Sequence, residues 1–473
     1  MNPGSPAAGP ARRLTIAVIG GGISGLVAAH ALRTHLGAEL DLDLFERSDS
    51  LGGLLRERVV AGRAVDVGAE AFVVRRPEVL ALVDELGLSH SVVHPTGRRP
   101  ALLARGRLWP LPRPTLMGVP AGPEAIADVA DADDVDWTRA EPTRPLGWTR
   151  GDDPALGEFV TERFGASVTA RSVDPMLAGV YSCRADDIGL RAALPQLAAR
   201  LDAGAESLTA AVTGLISAGG DGPVFGTLDG GYWMLVDRLR VTSGATVHLN
   251  STVDAVTHDG TAWRLGDRGE HVGGAYDGVV VALPAPAAAT VLRDGAPEAS
   301  AALRRVQVAG SALVSVALAP AARIPDHSGV LVATGEPTAA KAFTFSSHKW
   351  QHLVGDAQHV RISFGRLDDP VTLADDALVA AAVRDLGRVS ALAGGAVSPG
   401  DVVDAVVQRW PVGLPRYAPG HGDLIATVDA HRPRGLALAG SAYSGVGVPA
   451  CVGRARHAAR LLVGDLADGT MGA

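Results

Sequence analysis

At 473 residues, with 47% hydrophobic and 20% charged residues, the chain has the size of two or three globular domains, which excludes a disordered or fibrous protein. A formal net charge of −8 and a pI near 6.0 leave no electrostatic footprint for nucleic acid. Cys183 and Cys451 are the only cysteines, which excludes a disulfide scaffold and a zinc cage and suits a reducing cytoplasm.

Residues 1–13 read as a disordered tail. Ala11-Arg12-Arg13 imitates a twin-arginine signal, but the apolar run behind it belongs to the fold. That run, Leu14–Ile19, reads as a buried parallel strand. It ends in Gly20-Gly21-Gly22-Ile23-Ser24-Gly25, followed by a helix over Leu26–Leu36 and a second strand, Leu40–Phe45, that stops at Glu46. Gly20 permits the tight turn, Gly22 admits a pyrophosphate to the backbone, and Gly25 lets helix and strand pack closely. The helix N-terminus offers free N–H groups to phosphate, and Glu46 can hold a ribose diol. A glycine motif set strand–turn–helix–strand, with an acid some 20 residues on, predicts a site for FAD or NAD(P).

Ser48–Arg56 reads as a loop returning past the diphosphate, Ala64–Glu70 as a strand and turn, Glu78–Leu86 as a helix, and Leu102–Leu111 as a hairpin around Arg105-Gly106-Arg107. Ala121–Asp153 is acidic, rich in Ala and Pro, and weakly periodic, which predicts a surface excursion that is mostly loop. Helices are expected over Ala155–Leu201, with breaks at Gly179 and Gly189. Phe225–Leu239 reads as strand–turn–helix, and Thr246–Asp254, Ala262–Leu265 and Tyr276–Leu283 as strands. The run Val279–Leu292 is interrupted by Pro284 and Pro286, so no transmembrane helix is expected. Strands Ser311–Leu318, Val330–Ala333 and Val360–Gly365 and a helix over Asp376–Leu392 follow. Leu436–Gly440 is a short strand running into a second glycine-rich turn and a helix to Leu462, whose N-terminus can face an anionic acceptor such as a reduced flavin. The expected architecture is α/β plus α, a discontinuous Rossmann-like FAD-binding domain with an inserted substrate-binding sheet domain and a helical domain. Residues 14–74, 222–285 and 405–473 are assigned to the first, 75–91, 206–221 and 286–404 to the second, and 92–205 to the third.

Several motifs together resemble the protoporphyrinogen/coproporphyrinogen oxidase family, within the wider monoamine-oxidase-like group, from about Leu14 to Leu462. The shared FAD features are Gly20–Gly25, Glu46-Arg47 and Leu51-Gly52-Gly53. Gly52-Gly53-Leu54-Leu55-Arg56 is similar to the family's GGxxR, with Leu54 where amine oxidases carry Arg. Asp66–Phe72, Met176–Tyr181 with Ile188–Leu197, Phe225–Gly231, Trp410–His421 and Gly440–Cys451 are similar to further family blocks. The Ala121–Asp153 segment lacks the helices expected there in the family, which puts any membrane-docking surface of that region in doubt.

The resemblance implies noncovalent FAD, with the diphosphate at Gly20–Gly25 and Arg56, the ribose on Glu46, and the adenine on the backbone of Val253. Gly68, Ala69, Glu70, Ala71, Trp410 and Val446, Gly447 and Val448, behind Gly440 and Ser441, would surround the isoalloxazine. It also implies a porphyrinogen substrate, with dioxygen as acceptor, and a transient handover to a ferrochelatase. Propionates call for cations. Arg75 and Arg76, directly after the Gly68–Phe72 turn, are the candidates, and Gly179 is the candidate close-approach wall. No side chain is assigned an acid–base role and no metal is expected. Coproporphyrinogen III is favoured, with protoporphyrinogen IX oxidation, flavin amine oxidation and a non-enzymatic flavin-bound scaffold as alternatives. The chain is expected in the cytoplasm, with peripheral membrane association left open.

Overall fold

A computed structural model describes residues 13–217 and 222–470. The tail expectation therefore lies outside the described residues except at Arg13, whose guanidinium pairs with Glu39 and Asp41. A five-stranded parallel sheet runs in the order Thr246–His248, Asp41–Phe45, Thr15–Ile19, Gly278–Val281, Leu436–Leu438. Its central strands are continuous apolar runs because both faces are covered. Ile16 and Val18 face a core with Leu26, Val280 and Leu462, while Ala17 and Ile19 face a second core with Val279, Val281 and Leu292. Helix Ile23–Leu36 packs on the first face between helices Trp233–Ser243 and Val448–Thr470.

A seven-stranded mixed sheet runs in the order Val402–Pro415, Val308–Leu318, Gln358–Phe364, Ala342–Phe345, Gly329–Val332, Ala101–Ala104, Arg107–Pro110. Alternation assigns its faces. Val314, Val316, Phe343 and Ile362 pack beneath helix Asp375–Leu392, whereas Leu313 and Ala317 rest on Val60, Val65 and Val67, in and just beyond the hairpin Glu57–Asp66. A third core, built on Leu156, Phe164, Leu177, Leu190, Leu197 and Val212, gathers the helices between 126 and 217.

Several expectations are corrected. The hairpin Ala101–Pro110 belongs to the seven-stranded sheet rather than to the helical unit, and strand Val402–Pro415 carries that sheet's edge past residue 405. Helix Pro77–Glu85 packs on the nucleotide-side core through Val79, Leu82 and Val83, and helix Leu208–Ser217 packs on the helical core. Residues 121–153 are loop and turn over most of their length, as expected, but they are more built than a surface excursion. They contain helix Ala132–Arg139 and bury Ile126, Val129 and Glu141; of the acids read as solvated, Glu141 is used inside, half-buried Asp134 accepts from the Ser167 N–H at 2.8 Å, and exposed Asp131 pairs with Arg171. Gly179 does not break a helix; it lies within Asp174–Tyr181. The strand expected over Thr246–Asp254 stops at His248, since Asn250 turns back in the left-handed region to hydrogen-bond the Ser48 carbonyl.

Candidate active site

The carboxyl ends of the parallel strands meet at a glycine-built cradle, where ligands bind in open sheets of this kind. A Cβ on Gly25 would stand 1.8 Å from the Gly20 carbonyl oxygen, so only glycine closes the turn under the helix. Gly22 and Gly53 pack backbone to backbone: a Cβ on Gly53 would stand 3.1 Å from the Gly22 Cα, while one on Gly22 would touch only the Gly53 Cα, at 3.8 Å, and otherwise project into open space. The Gly52 N–H donates to the Gly21 carbonyl at 2.9 Å, which draws the Ser48–Arg56 loop alongside the first turn. Helix Ile23–Leu36 starts with no side-chain cap and no acid in its first turn, so its leading N–H groups are open to an anion.

Glu46 closes one end. Its Oε2 accepts from the Gly21 N–H at 2.8 Å, and its Oε1 accepts from the Ser48 N–H and hydroxyl at 2.9 and 2.8 Å. Oε2 keeps a lone pair for a ribose hydroxyl, whereas both of those on Oε1 are taken by Ser48. The Ser251 N–H donates to the Glu46 carbonyl, which brings Val253 to the same end. Val253 has no backbone hydrogen-bond partner among the described residues, as an adenine-binding amide requires. Arg47 is exposed beside this end, and Leu54 and Arg56 are half-buried in the adjoining loop. These features fit an extended dinucleotide: an open space that a side chain would fill, open helix N–H groups, a poised carboxylate and a free backbone edge.

A second cluster lies at the turn after strand Arg63–Asp66. A Cβ on Gly68 would come within 1.8 Å of the Leu54 carbonyl oxygen and 3.3 Å of the Trp410 ring. Trp410 donates its indole N–H to the Val67 carbonyl at 3.2 Å, and the Ala69 N–H donates to Leu54 at 3.1 Å. The turn and the tryptophan are thus held as one wall, with Ala71 continuing it. The Glu70 side chain does something the sequence did not indicate. Its Oε2 takes Lys349 at 2.8 Å, and its Oε1 takes the Ser346 hydroxyl at 2.9 Å and lies 3.3 Å from Arg361. Burial alone would raise this carboxyl, but the charges of Lys349 and Arg361 outweigh it and hold it near 2. Asp66 goes the other way: burial pushes it up to about 7 against the pull of Arg361 and the Tyr232 N–H.

The third element is the C-terminal glycine turn. Gly440 adopts φ 136°, beyond which Ser441–Ser444 forms one helical turn and helix Val448–Thr470 begins. Tyr417 pins this turn by donating its hydroxyl to the Ser441 carbonyl and accepting from the Gly445 N–H at 2.7 Å. Val446 is half-buried, Gly447 is exposed, and Val448 is buried at the helix start. Burial pushes the Cys451 thiol up to about 11, so it is no nucleophile near neutrality. His421 is a satisfied core histidine, bonded to the Ala442 carbonyl at 2.8 Å.

Arg75 and Arg76 are exposed just beyond the Gly68 turn, and Arg76 pairs with Glu78 at the head of helix Pro77–Glu85. Gly179 sits on helix Asp174–Tyr181 facing strand Gly329–Val332, where a Cβ would make an ordinary 3.7 Å contact with Leu331; no protein atom there requires glycine. Sequence reasoning missed Asp66, Lys349, Arg361 and Tyr417. One signal was present: Lys349 is one of only two lysines, whereas Arg361 sits in the polar phase of its strand, alternating with buried Val360 and Ile362.

The parallel sheet and its glycine cradle define a dinucleotide-binding flavoprotein. The description "Flavin containing amine oxidoreductase" matches residues 23–463, and the chain belongs to that family, whose cofactor here is FAD. It is 45% identical over 454 residues to the coproporphyrinogen III oxidase of Mycobacterium leprae, spanning 95% of this chain and 98% of that protein. It is 33% identical to the coproporphyrinogen III oxidase of Propionibacterium freudenreichii, spanning 96% and 92%. A crystal structure from Exiguobacterium sp. 255-15 superposes with a TM-score of 0.83 at 25% identity, covering 96% of this chain and 99% of that one.

Proposed function

We propose that the protein oxidises coproporphyrinogen III to coproporphyrin III. The observation that carries this reading is the end-to-end match, at 45% identity, to a protein of that name. The cradle geometry supports it by accommodating an extended FAD. Bound FAD supplies a two-electron acceptor that dioxygen restores, so three rounds remove six electrons and release three hydrogen peroxide molecules.

The chain's own part is binding and orientation. Gly22, Gly53 and the open helix N-terminus take the diphosphate, with Arg56 beside them, and Glu46 takes the ribose. The Gly68 wall and Trp410 seat the isoalloxazine from one side, and the Val446–Val448 helix start seats it from another. Arg75 and Arg76 bind substrate carboxylates from the turn's exposed end, where a planar guanidinium pairs bidentately. Gly179 leaves the facing helix without a side chain at the approach to strand Gly329–Val332. Holding the reacting carbon against the acceptor is worth more here than a base, since the pyrroles carry the developing charge.

Among the described residues no helix is long and apolar enough to cross a membrane. A cytoplasmic enzyme that passes its porphyrin to a ferrochelatase fits this reading. Steady-state turnover in air of coproporphyrinogen III and protoporphyrinogen IX, followed by porphyrin fluorescence and peroxide, tests it. The expected result is a kcat/KM at least about tenfold higher for the tetracarboxylate, one charge-assisted contact being worth about that factor. Preference for the dicarboxylate makes the protein a protoporphyrinogen oxidase, and turnover of neither with FAD bound defeats the reading.

A further inference from the structure

Strand Gln358–Phe364 alternates, so Arg361 and Ser363 share the face that looks at the Gly68 turn, where Arg361 donates to the Gly68 carbonyl. The pairing register sets Leu313, Ser363, Ala342 and Leu331 side by side across that face. Trp410, paired with Ser311, belongs to the same face. Leu313 is covered by Val60 and Val65 at one end of the row, and Leu331 meets helix Asp174–Tyr181 at Gly179 at the other. The two small side chains between them are half-buried, which leaves a shallow, partly open floor between Trp410 and that helix.

Arg366 stands where this strand ends. Gly365, at φ 85°, turns the chain, and the Leu367 N–H donates to the Ser182 carbonyl at 3.0 Å. Buried Lys341 donates to the Ser182 hydroxyl and to the Gly365 carbonyl, both at 2.6 Å. The turn is thereby fastened to the end of the helix that presents Gly179. The half-buried Arg366 side chain makes no hydrogen bond and no ion pair among the described residues. Every other described arginine lacking such a partner is exposed, except Arg56 at the diphosphate cradle. The neighbouring acids are engaged elsewhere. Asp174 accepts from the Ala185 N–H at 2.8 Å and the Thr334 hydroxyl at 2.6 Å, Asp187 pairs with Arg416, and Asp368 pairs with Arg184. Asp369, exposed in the same turn, is hydrogen-bonded to Arg366 by backbone alone.

We propose that Arg366 is a further substrate-binding residue, taking a carboxylate of the porphyrinogen at the end of the open sheet face and so favouring a tetracarboxylate over a dicarboxylate. The inference rests on the proposed function and on Gly179 as the approach wall. Five guanidinium N–H groups in a rigid fork match a carboxylate edge, and none of them is used within the protein. Arg75 and Arg76 already suffice for two carboxylates. A third fixed arginine, on another element, finds a partner only in a substrate that carries more than two.

Steady-state kinetics with both porphyrinogens, together with binding of coproporphyrin III to the FAD-loaded enzyme by fluorescence quenching, tests this. Arg366→Gln should raise KM for coproporphyrinogen III about tenfold with a smaller effect on kcat, and weaken coproporphyrin III binding by a similar factor. KM for protoporphyrinogen IX should change much less. Arg366→Lys keeps the charge without the fork and should recover part of the loss. FAD content and thermal midpoint should stay at wild-type values, since the side chain holds no protein group. Unchanged KM and binding for the tetracarboxylate in Arg366→Gln overturns the proposal, as does an equal loss with both porphyrinogens. Wild-type enzyme that turns over neither porphyrinogen sinks the proposed function instead, and the coproporphyrin III binding comparison still decides the case for Arg366.

Discussion

Asp66 and Glu70 lie four residues apart and are pushed in opposite directions, so each leaves its own signature on stability. Glu70 is held near 2, below its unfolded value, so its contribution is complete above about pH 4.5 and is lost as pH falls toward 2. Asp66, raised to about 7, keeps a proton in the folded state that the unfolded chain has released. Stability through this group therefore falls as pH rises from about 4 to about 7. Asp66→Asn should abolish that decline. Urea unfolding at pH 5 and pH 7.5 should show a difference between wild type and variant on the order of a few kcal/mol, since tenfold in proton affinity is about 1.4 kcal/mol. An identical pH slope in both proteins refutes the assignment. Gly22→Val should fill the open space beside Gly53, weaken FAD binding at least about tenfold and leave the fold intact, as read by flavin absorbance per protein and far-UV circular dichroism. The glycine turn at 20–25, with Glu46 at its end, was legible because backbone geometry demands glycine at that spacing and the second strand brings residue 46 to the turn. The Glu70 partners were not, because Lys349 and Arg361 are distant in sequence and nothing local marks which strand of another sheet will reach the turn.

At the scale of elements, the acidic segment 121–153 is the clearest departure. Its helix is weakly amphipathic, so periodicity gives little signal, and beside the apolar anchor of Ile126 and Ala130 it has an ionic one. Glu141 and Arg163 pair with side chains 0% and 3% exposed, and Glu141 also accepts the Leu208 and Thr209 N–H groups at 3.0 and 3.1 Å, capping helix Leu208–Ser217. One carboxylate thus joins three elements. Glu141→Ala strands the Arg163 charge and uncaps the helix, so it should cost about 3–5 kcal/mol and lower the thermal midpoint, while Glu141→Leu with Arg163→Met should recover much of the loss. If the single variant melts with the wild type, the pair is only a bystander. Regular elements such as Thr15–Ile19, Pro77–Glu85 and Asp375–Leu392 were read nearly in place, because their burial patterns follow the helix and strand periods.

At the scale of the molecule, two sheets share one wall. Strand Val402–Pro415 forms the edge of the seven-stranded sheet and carries Trp410 to the nucleotide-side turn, which is why a domain boundary drawn at 405 from sequence cuts through it. Composition does not change there, and sequence alone offers no reason to place the cut elsewhere. Under the proposed function substrate recognition belongs to this scale, because the carboxylates would reach Arg75 and Arg76 while the macrocycle meets the wall. Arg75→Ala is expected to raise KM for coproporphyrinogen III about tenfold with a smaller effect on kcat, the pattern of a lost binding contact. Steady-state kinetics of the single and double arginine variants checks it, and an unchanged KM in the double variant excludes both residues.

The order of the parallel sheet has a consequence for how the protein is made. Its central strands come from the beginning and middle of the chain, but the closing strand, Leu436–Leu438, and the long helix Val448–Thr470 that seals one face arrive last from the ribosome. Until they emerge, Val280 and Leu26 lack part of their cover and the second glycine turn does not exist. A nascent chain therefore spends most of its synthesis with an apolar sheet edge unpaired, the state that recruits chaperones and invites aggregation. Loss of the final strand and helix should yield an insoluble, flavin-free product rather than a weak enzyme. Retained flavin in such truncations would show that the closing strand and helix are not needed to hold the cofactor.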